Sequence, residues 1–438
     1  MKHAPLVAGA TLGAAAALAA RAGRSPRGHP LLDYVARPDG AYRWRRAGDL
    51  ALPLGVSVTR VSLVSQEWQG LPWKHALVLL RPPRVDNPTT LLLLVSGDDG
   101  NFETIRLMAQ AARALSLPTG VLFNIPNQPL LGGKAEDALI AHTLVRCLET
   151  GDCTWPLLFP MVKSVVRAMD AAAELSANEW PAPVERFVIT GASKRGWTTW
   201  LTGAVDPRVA GIAPLVYDNL NLPAQMAGQL AAYGAYSEEV HDYTAVGLPQ
   251  RLATPAGRWL ATLIDPYALR DRLHLPKLLV HATNDRYWTL ESVGHYFEGL
   301  PGDKHLLYIP NAGHALPRRS RVLRAVGAFA RARADGRTLP GLAWEHAEQR
   351  EALVLCLRPE AEPVCLAVWT AAAPTRDFRD ARWQRHALRA SGDEALYALP
   401  RPAAGFTAVI GEVTYRASGE EFSLSTTPRV VGPRRVSQ

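Results

Sequence analysis

One stretch limits the possible folds more than any other: Phe187-Val-Ile-Thr-Gly-Ala-Ser-Lys-Arg-Gly-Trp197. An apolar run ends at Gly191-Ala192-Ser193-Lys194-Arg195-Gly196, and a segment of helical character follows to Val205. Strand, tight turn carrying a serine, helix is the context of a nucleophile elbow, in which the turn lifts a Ser hydroxyl clear of the sheet. Glycines flank such a Ser because side chains there would collide with the crowded strand and helix. The usual spacing is G-x-S-x-G. Here Arg195 holds the place of the second Gly, and Gly196 follows one residue later.

Two further strand ends carry the groups that a serine needs. Lys277-Leu-Leu-Val-His-Ala-Thr283 reads as a buried strand and runs into Asn284-Asp285-Arg286-Tyr287-Trp288. His305-Leu-Leu-Tyr-Ile309 reads as the next strand and ends at Pro310-Asn-Ala-Gly-His314. Ser193, Asp285 and His314 thus fall in the order Ser, acid, His, each after its own strand, as in an α/β-hydrolase triad. The chemistry requires all three: a base to take the Ser proton, and a carboxylate to hold the imidazole tautomer and stabilise the imidazolium. Asp218, after the run Val209–Tyr217, is the rival acid, because the acid can also follow an earlier strand. His281 sits in mid-strand and reads as a core residue.

The chain is long enough, at 438 residues, to bury a sizeable core, and 48% of it is hydrophobic. Its net charge of +8 comes largely from scattered Arg. Arg318, Arg319, Arg321 and Arg324 read as a solvated helix face, and no concentrated basic stripe or nucleic-acid motif is present. No H-E-x-x-H, C-x-x-C, strand-linked G-x-G-x-x-G or Walker sequence occurs, so no metal and no cofactor is expected.

The start reads as an export leader over residues 1–22. Lys2 and His3 precede an Ala-rich apolar segment from Ala4 to Ala20, and Ala17-Leu18-Ala19 offers a cleavage site. Periplasmic or secreted location is therefore expected, with no membrane span left after cleavage; an uncleaved anchor is the alternative. The four Cys fit an oxidising compartment. Runs around Cys356 and Cys365 predict a hairpin through residues 359–363, which would set the two Cys opposite each other at about 5 Å between Cα atoms, within disulfide range. Cys147 and Cys153 are a second candidate pair, closing a small loop after a helix.

Along the chain, residues 30–52 read as an extended arm and a short helix. Residues 30–330 carry the main pattern of an α/β fold: a mostly parallel sheet with helices on both faces. The clearest amphipathic helix spans 157–177, with Leu158, Met161, Val162, Val165, Val166 and Met169 at helical spacing. Residues 219–272 interrupt the pattern with helical, aromatic-rich sequence and are expected to form a cap over the site. Arg331–Pro340 reads as a linker. Short alternating runs over 341–430 predict a small β-sandwich of immunoglobulin or fibronectin appearance.

Ala192-Ser-Lys-Arg-Gly-Trp-Thr-Thr-Trp200, Asp206-Pro-Arg-Val209, Asn219-Leu-Asn221, Asp285-Arg-Tyr-Trp288, Pro310-Asn-Ala-Gly-His314 and Thr375-Arg-Asp-Phe-Arg379 together resemble the PhoPQ-activated pathogenicity-related family. That resemblance implies an exported bacterial α/β-hydrolase-like protein and names no substrate. The elbow is also similar to that of carbohydrate esterases of the glucuronoyl esterase kind, in which the basic residue after the Ser helps to hold the oxyanion; here that residue is Lys194.

The expected activity is that of a serine hydrolase, esterase- or peptidase-like, acting on a small-molecule, peptide or glycan-ester substrate. The alternative is a hydrolase-fold binding or signalling protein without turnover. Ser193 is the expected nucleophile, His314 the base and Asp285 its orienting acid. The oxyanion hole is expected from the backbone N–H of Lys194 and, by position in the loop Ser96–Asn101, that of Asp98. Substrate-binding candidates are Arg195, Asn219, Tyr287 and Trp288. Arg195 reads first as an ion-pair partner and second as an anion-binding group.

Overall fold

The computed structural model describes residues 28–433 apart from 53–54, 318 and 418. The expected leader over 1–22 and Arg318 lie outside the described residues. Alternation between two cores is what builds the central sheet. In β4 (Thr90–Val95), Leu91, Leu93 and Val95 point into one apolar cluster and Leu92 into the other. β6 (Arg186–Ala192) repeats this, with Phe187 and Ile189 on one side and Val188 on the other. Strands buried on both faces read as continuous apolar runs, and that is why they stand out in the sequence.

Nine strands form this sheet in the order β1-β2-β3-β5-β4-β6-β7-β8-β9. β1 (Arg43–Leu52), β2 (Val56–Trp68) and β3 (Leu71–Arg81) are an antiparallel meander. β3 joins β5 (Thr119–Leu122) antiparallel. From β5 through β4, β6, β7 (Val209–Leu215), β8 (Lys277–Ala282) and β9 (Lys304–Ile309) every pairing is parallel. The residues read as an extended arm thus supply strand β1 on the sheet edge. Helices Leu158–Glu179 and Lys194–Val205 bury their apolar stripes in one cluster; Phe102–Leu115 and Arg319–Ala334 bury theirs in the other. This is the α/β-hydrolase arrangement, with the Ser-bearing elbow at the end of a central strand.

The helix Arg319–Ala334 runs through the first part of the expected linker. Buried Ala330, Ala332 and Ala334 extend its apolar face, and Arg331 is tied to the Leu115 carbonyl at 2.7 Å and to Asp335 one turn on. Between β7 and β8 the chain forms the helices Leu222–Tyr233, His241–Ala245, Leu248–Leu252 and Pro255–Ile264.

Two antiparallel sheets follow and pack face to face as a small sandwich. One holds β10 (Leu342–Glu348), β11 (Ala352–Pro359) and β14 (Ala395–Pro400). The other holds β12 (Cys365–Ala373), β13 (Gln384–Leu388), β15 (Phe406–Ala417), β16 (Glu420–Ser425) and β17 (Arg429–Val431). The expected hairpin between Cys356 and Cys365 does not form. Cys356 on β11 lies opposite Glu345 and Leu396, and Cys365 on β12 opposite Thr414. Leu353, Leu355 and Leu357 are fully buried and need a facing layer rather than an edge partner. The chain therefore crosses between sheets at 360–364, bringing Leu366 and Val368 into the same core. All four thiols, Cys147, Cys153, Cys356 and Cys365, are free.

Candidate active site

The elbow is a local consequence of crowding. Ser193 has φ 58° and ψ −122°, a conformation that an L-residue adopts only when its surroundings enforce it. Its own N–H bonds to the Leu215 carbonyl at 2.8 Å, and its carbonyl receives the Trp197 N–H at 3.0 Å. A Cβ on Gly191 would meet the Arg195 carbonyl oxygen at 2.8 Å; one on Gly196 would meet Tyr217 Cβ at 2.9 Å and the Leu215 carbonyl oxygen at 3.0 Å. The departure from the usual spacing follows. Position 196 faces the packed neighbouring strand and needs glycine, whereas the side chain at 195 has room to turn away.

Arg195 turns toward Glu136, where it makes two hydrogen bonds of 2.8 and 2.5 Å, and toward the Ile125 carbonyl. Gln128 fixes Glu136 from the other side, accepting its backbone N–H at 2.8 Å and donating to its carboxylate at 2.6 Å. Burial works against the Glu136 carboxylate, but the Arg195 guanidinium overcomes it and holds the pKa down at about 2. Arg195 is thus an ion-pair partner beneath the elbow, the first of its two readings. Gly97 completes the packing, since a Cβ there would overlap the guanidinium.

Ser193 Oγ lies 2.9 Å from His314 Nε2, and His314 Nδ1 lies 2.8 Å from Asp285 Oδ2. The other Asp285 oxygen accepts the Tyr287 N–H at 2.9 Å, and the Tyr287 ring packs on the imidazole at 4.2 Å between centroids. With Asp285 on Nδ1, the imidazole has Nε2 free to accept the Ser proton. The rival Asp218 is not part of this relay. It is buried, with Tyr296 donating to it at 2.7 Å and Tyr308 at 3.2 Å, and burial raises its pKa to about 8 against those two bonds. His281 stands 3.8 Å from Asp218 in the same buried cluster, and burial pushes its pKa down to about 3.

Lys194 opens the helix after the elbow, where backbone N–H groups have no partner within the helix. Its ammonium is held 2.7 Å from Asp137 and lies over the Tyr287 ring. Asp137 also accepts from Tyr243 at 2.7 Å and Tyr287 at 3.3 Å. Glu136 and Asp137 were not singled out in the sequence. Two acids at the start of a helix read as ordinary partners of its dipole, and the cations that pair with them, Arg195 and Lys194, are more than fifty residues away. The Asp98 carboxylate is turned into its own loop, accepting from Ser96 at 2.9 Å and from Thr104 at 3.3 Å.

Asn219 and Trp288 line, with Ser193, Lys194 and Tyr287, a small cavity roofed by the helices between β7 and β8. The Trp288 indole donates to the Val216 carbonyl at 3.2 Å. The loops bearing Asp285 and His314 are braced from the sandwich, by the segment between β12 and β13. Asn284 Nδ2 donates to the carbonyls of Phe378, Arg379 and Ala381 at 3.3, 3.1 and 2.7 Å. Asn311 pairs with both backbone groups of Trp383, at 2.9 and 2.8 Å. Thr283 ties the two loops together, donating to the Asn284 side chain at 2.7 Å and accepting the Asn311 N–H at 2.9 Å.

The chain is similar to known proteins. The pattern of the PhoPQ-activated pathogenicity-related protein family matches residues 31–379. Autocrine proliferation repressor protein A of Dictyostelium discoideum is 32% identical over 376 residues, 81% of this chain and 76% of its own length. Among solved structures, acetyl xylan esterase 1 from Thermoanaerobacterium sp. JW/SL YS485 aligns with a TM-score of 0.48 at 14% identity, covering 69% of this chain and 91% of its own. An S-formylglutathione hydrolase from Agrobacterium tumefaciens aligns with a TM-score of 0.45 at 14% identity, covering 66% and 99%.

Proposed function

We propose, for a chain that belongs to the PhoPQ-activated pathogenicity-related protein family, the chemistry of an exported serine hydrolase acting on an ester, amide or sugar-acid substrate. The observation that carries this reading is the unbroken relay from Ser193 through His314 to Asp285, with hydrogen bonds of 2.9 and 2.8 Å. Ser193 Oγ bonds to the acyl carbon as His314 takes its proton. The leaving group departs with that proton, and water activated by the same imidazole releases the acid and restores Ser193. The backbone N–H groups of Lys194 and Asp98 hold the oxyanion. Asp137 keeps the Lys194 ammonium in place at the edge of the site, where it adds positive charge.

Export rests on the leader pattern over residues 1–22. Among the described residues no helix is long and apolar enough to cross a membrane. The test of activity is labelling of the purified protein by a fluorophosphonate, beside Ser193→Ala. Labelling confined to the wild type supports an activated serine. A well-folded wild type that stays unlabelled overturns the reading.

One observation favours a second reading. The Dictyostelium relative carries the name of an autocrine proliferation repressor, a signalling role. In that reading the same pocket binds without turnover, and an unlabelled, folded protein is its expected result.

A further inference from the structure

The two sides of Ser193 are unlike. On one side is the cavity of about 60 Å³ under the helices between β7 and β8, with Trp197, Met226, Leu248, Leu252 and Ile264 among its walls. His314 is not one of those walls. On the His314 side the residues next to the relay, Ala192 and Ala315, are exposed, and the His314 side chain is itself 24% exposed. The leaving group collects its proton from His314 Nε2, so it lies toward this open side. The acyl group that stays bonded to Ser193 then points the other way, into the cavity.

The cavity limits what that acyl group can be. One water needs about 10–15 Å³ on this measure, and a cavity of about 150 Å³ holds benzene, so the space takes about two to five non-hydrogen atoms. Its charged groups are already answered. Lys194 is paired with Asp137, whose two oxygens are shared among Lys194, Tyr243 and Tyr287. Neither is left to balance a charge on the acyl group.

The roof is also fastened down. Three donors from it fall on three consecutive carbonyls of the loop after Asp285. Ser237 Oγ donates to Arg286 at 2.6 Å, Gln229 Nε2 to Tyr287 at 3.0 Å, and Tyr233 Oη to Trp288 at 2.9 Å. On the elbow helix, the Trp197 indole donates to the Ile264 carbonyl at 2.6 Å. Lifting the roof breaks these bonds and pulls on the loop that carries the acid. An oversized acyl group is therefore refused rather than accommodated.

We infer that this cavity selects a short, uncharged acyl group, acetyl to butanoyl, while the alcohol or amine portion lies outside it and is not restricted in size. The inference rests on the serine-hydrolase reading above and narrows it. A fatty acyl chain, a uronic acid and the acyl side of a peptide bond are too large for the space. A short acyl group carried on a sugar or another large alcohol fits.

The test is kcat/KM for 4-nitrophenyl acetate, butanoate, hexanoate and octanoate, and for phenyl and 2-naphthyl acetate. Octanoate should be turned over at least about tenfold less efficiently than butanoate. The two aryl acetates differ only in the group outside the cavity and should be turned over comparably. Met226→Ala and Leu252→Ala cut back cavity walls, and each should raise the hexanoate-to-acetate ratio severalfold. Met226 is only half-buried, so its variant keeps the test open if loss of the buried Leu252 side chain disturbs folding. Octanoate hydrolysed as well as butanoate, a ratio that neither substitution moves, or rejection of the naphthyl ester by about tenfold would overturn the inference. Fluorophosphonate labelling of the wild type separates the two levels. A labelled protein with no preference for short chains loses only this inference, and an unlabelled folded protein loses the hydrolase reading as well.

Discussion

Asp218 and Asp285 both end strands of the same sheet, and only their neighbours distinguish them. Asp285 meets an imidazole; Asp218, buried, meets two phenols. Asp285→Asn should lower kcat by about 10³–10⁴-fold, since an amide holds the wrong imidazole tautomer. Asp218→Asn should leave the relay standing and instead change how stability depends on pH. The Asp218 pKa is about 8 in the folded protein, above its unfolded value. Below about pH 4 both states carry the proton. Between there and pH 8 only the folded state keeps it, so this group removes up to about 1.4 kcal/mol of stability per pH unit as pH rises. Urea unfolding at pH 5 and pH 8 should show the Asn variant gaining on the wild type toward pH 8. A constant difference between the two proteins would refute the assignment.

Among the elements, the strands that end in chemistry are legible because each is a continuous apolar run stopped by polar residues. The runs before Ser193, Asp285 and His314 lie within a residue or two of β6, β8 and β9. Less legible are features that depend on a partner far away in sequence. The runs around Cys356 and Cys365 look like a hairpin when taken alone, yet their leucines demand opposite layers. Asn284 and Asn311 look like loop residues, and nothing local shows that residues 378–383 will come to meet them. That brace has a measurable weight. Asn284→Ala removes the donor shared by three carbonyls and should cost about 1–3 kcal/mol in thermal or urea unfolding. Because the loop it frees carries Asp285, kcat should also fall about tenfold with KM changed much less. A loss of stability with kcat untouched would make Asn284 a tie between sheets and nothing more.

For the molecule as a whole, hydrolase sheet and sandwich are joined in two places: at the sheet edge, where the Tyr308 N–H of β9 donates to Ser425 Oγ of β16 at 3.0 Å, and across the loops bearing Asp285 and His314. Arg379 of the sandwich side lies over Tyr233 at 4.1 Å and pairs with Glu238 at 2.7 Å, so the helices roofing the cavity are held from the same place. No disulfide contributes to this cohesion. Maleimide labelling without reductant, read by intact mass, should add one group rapidly to the native protein, at exposed Cys365, and four after unfolding. Burial pushes the Cys147 thiol up and keeps it unreactive in the native state. Two groups after unfolding would mean that one pair had oxidised.

The brace on Asn284 and Asn311 also has a meaning in time. Synthesis runs from the N-terminus, so Ser193 and its elbow leave the ribosome well before residues 378–383 exist. In that interval the loops bearing Asp285 and His314 lack their anchors, and the growing chain holds a serine without a settled relay. On the exported-hydrolase reading proposed above, completion of the chain is what arms the serine, and the order of synthesis keeps it harmless to its maker until then.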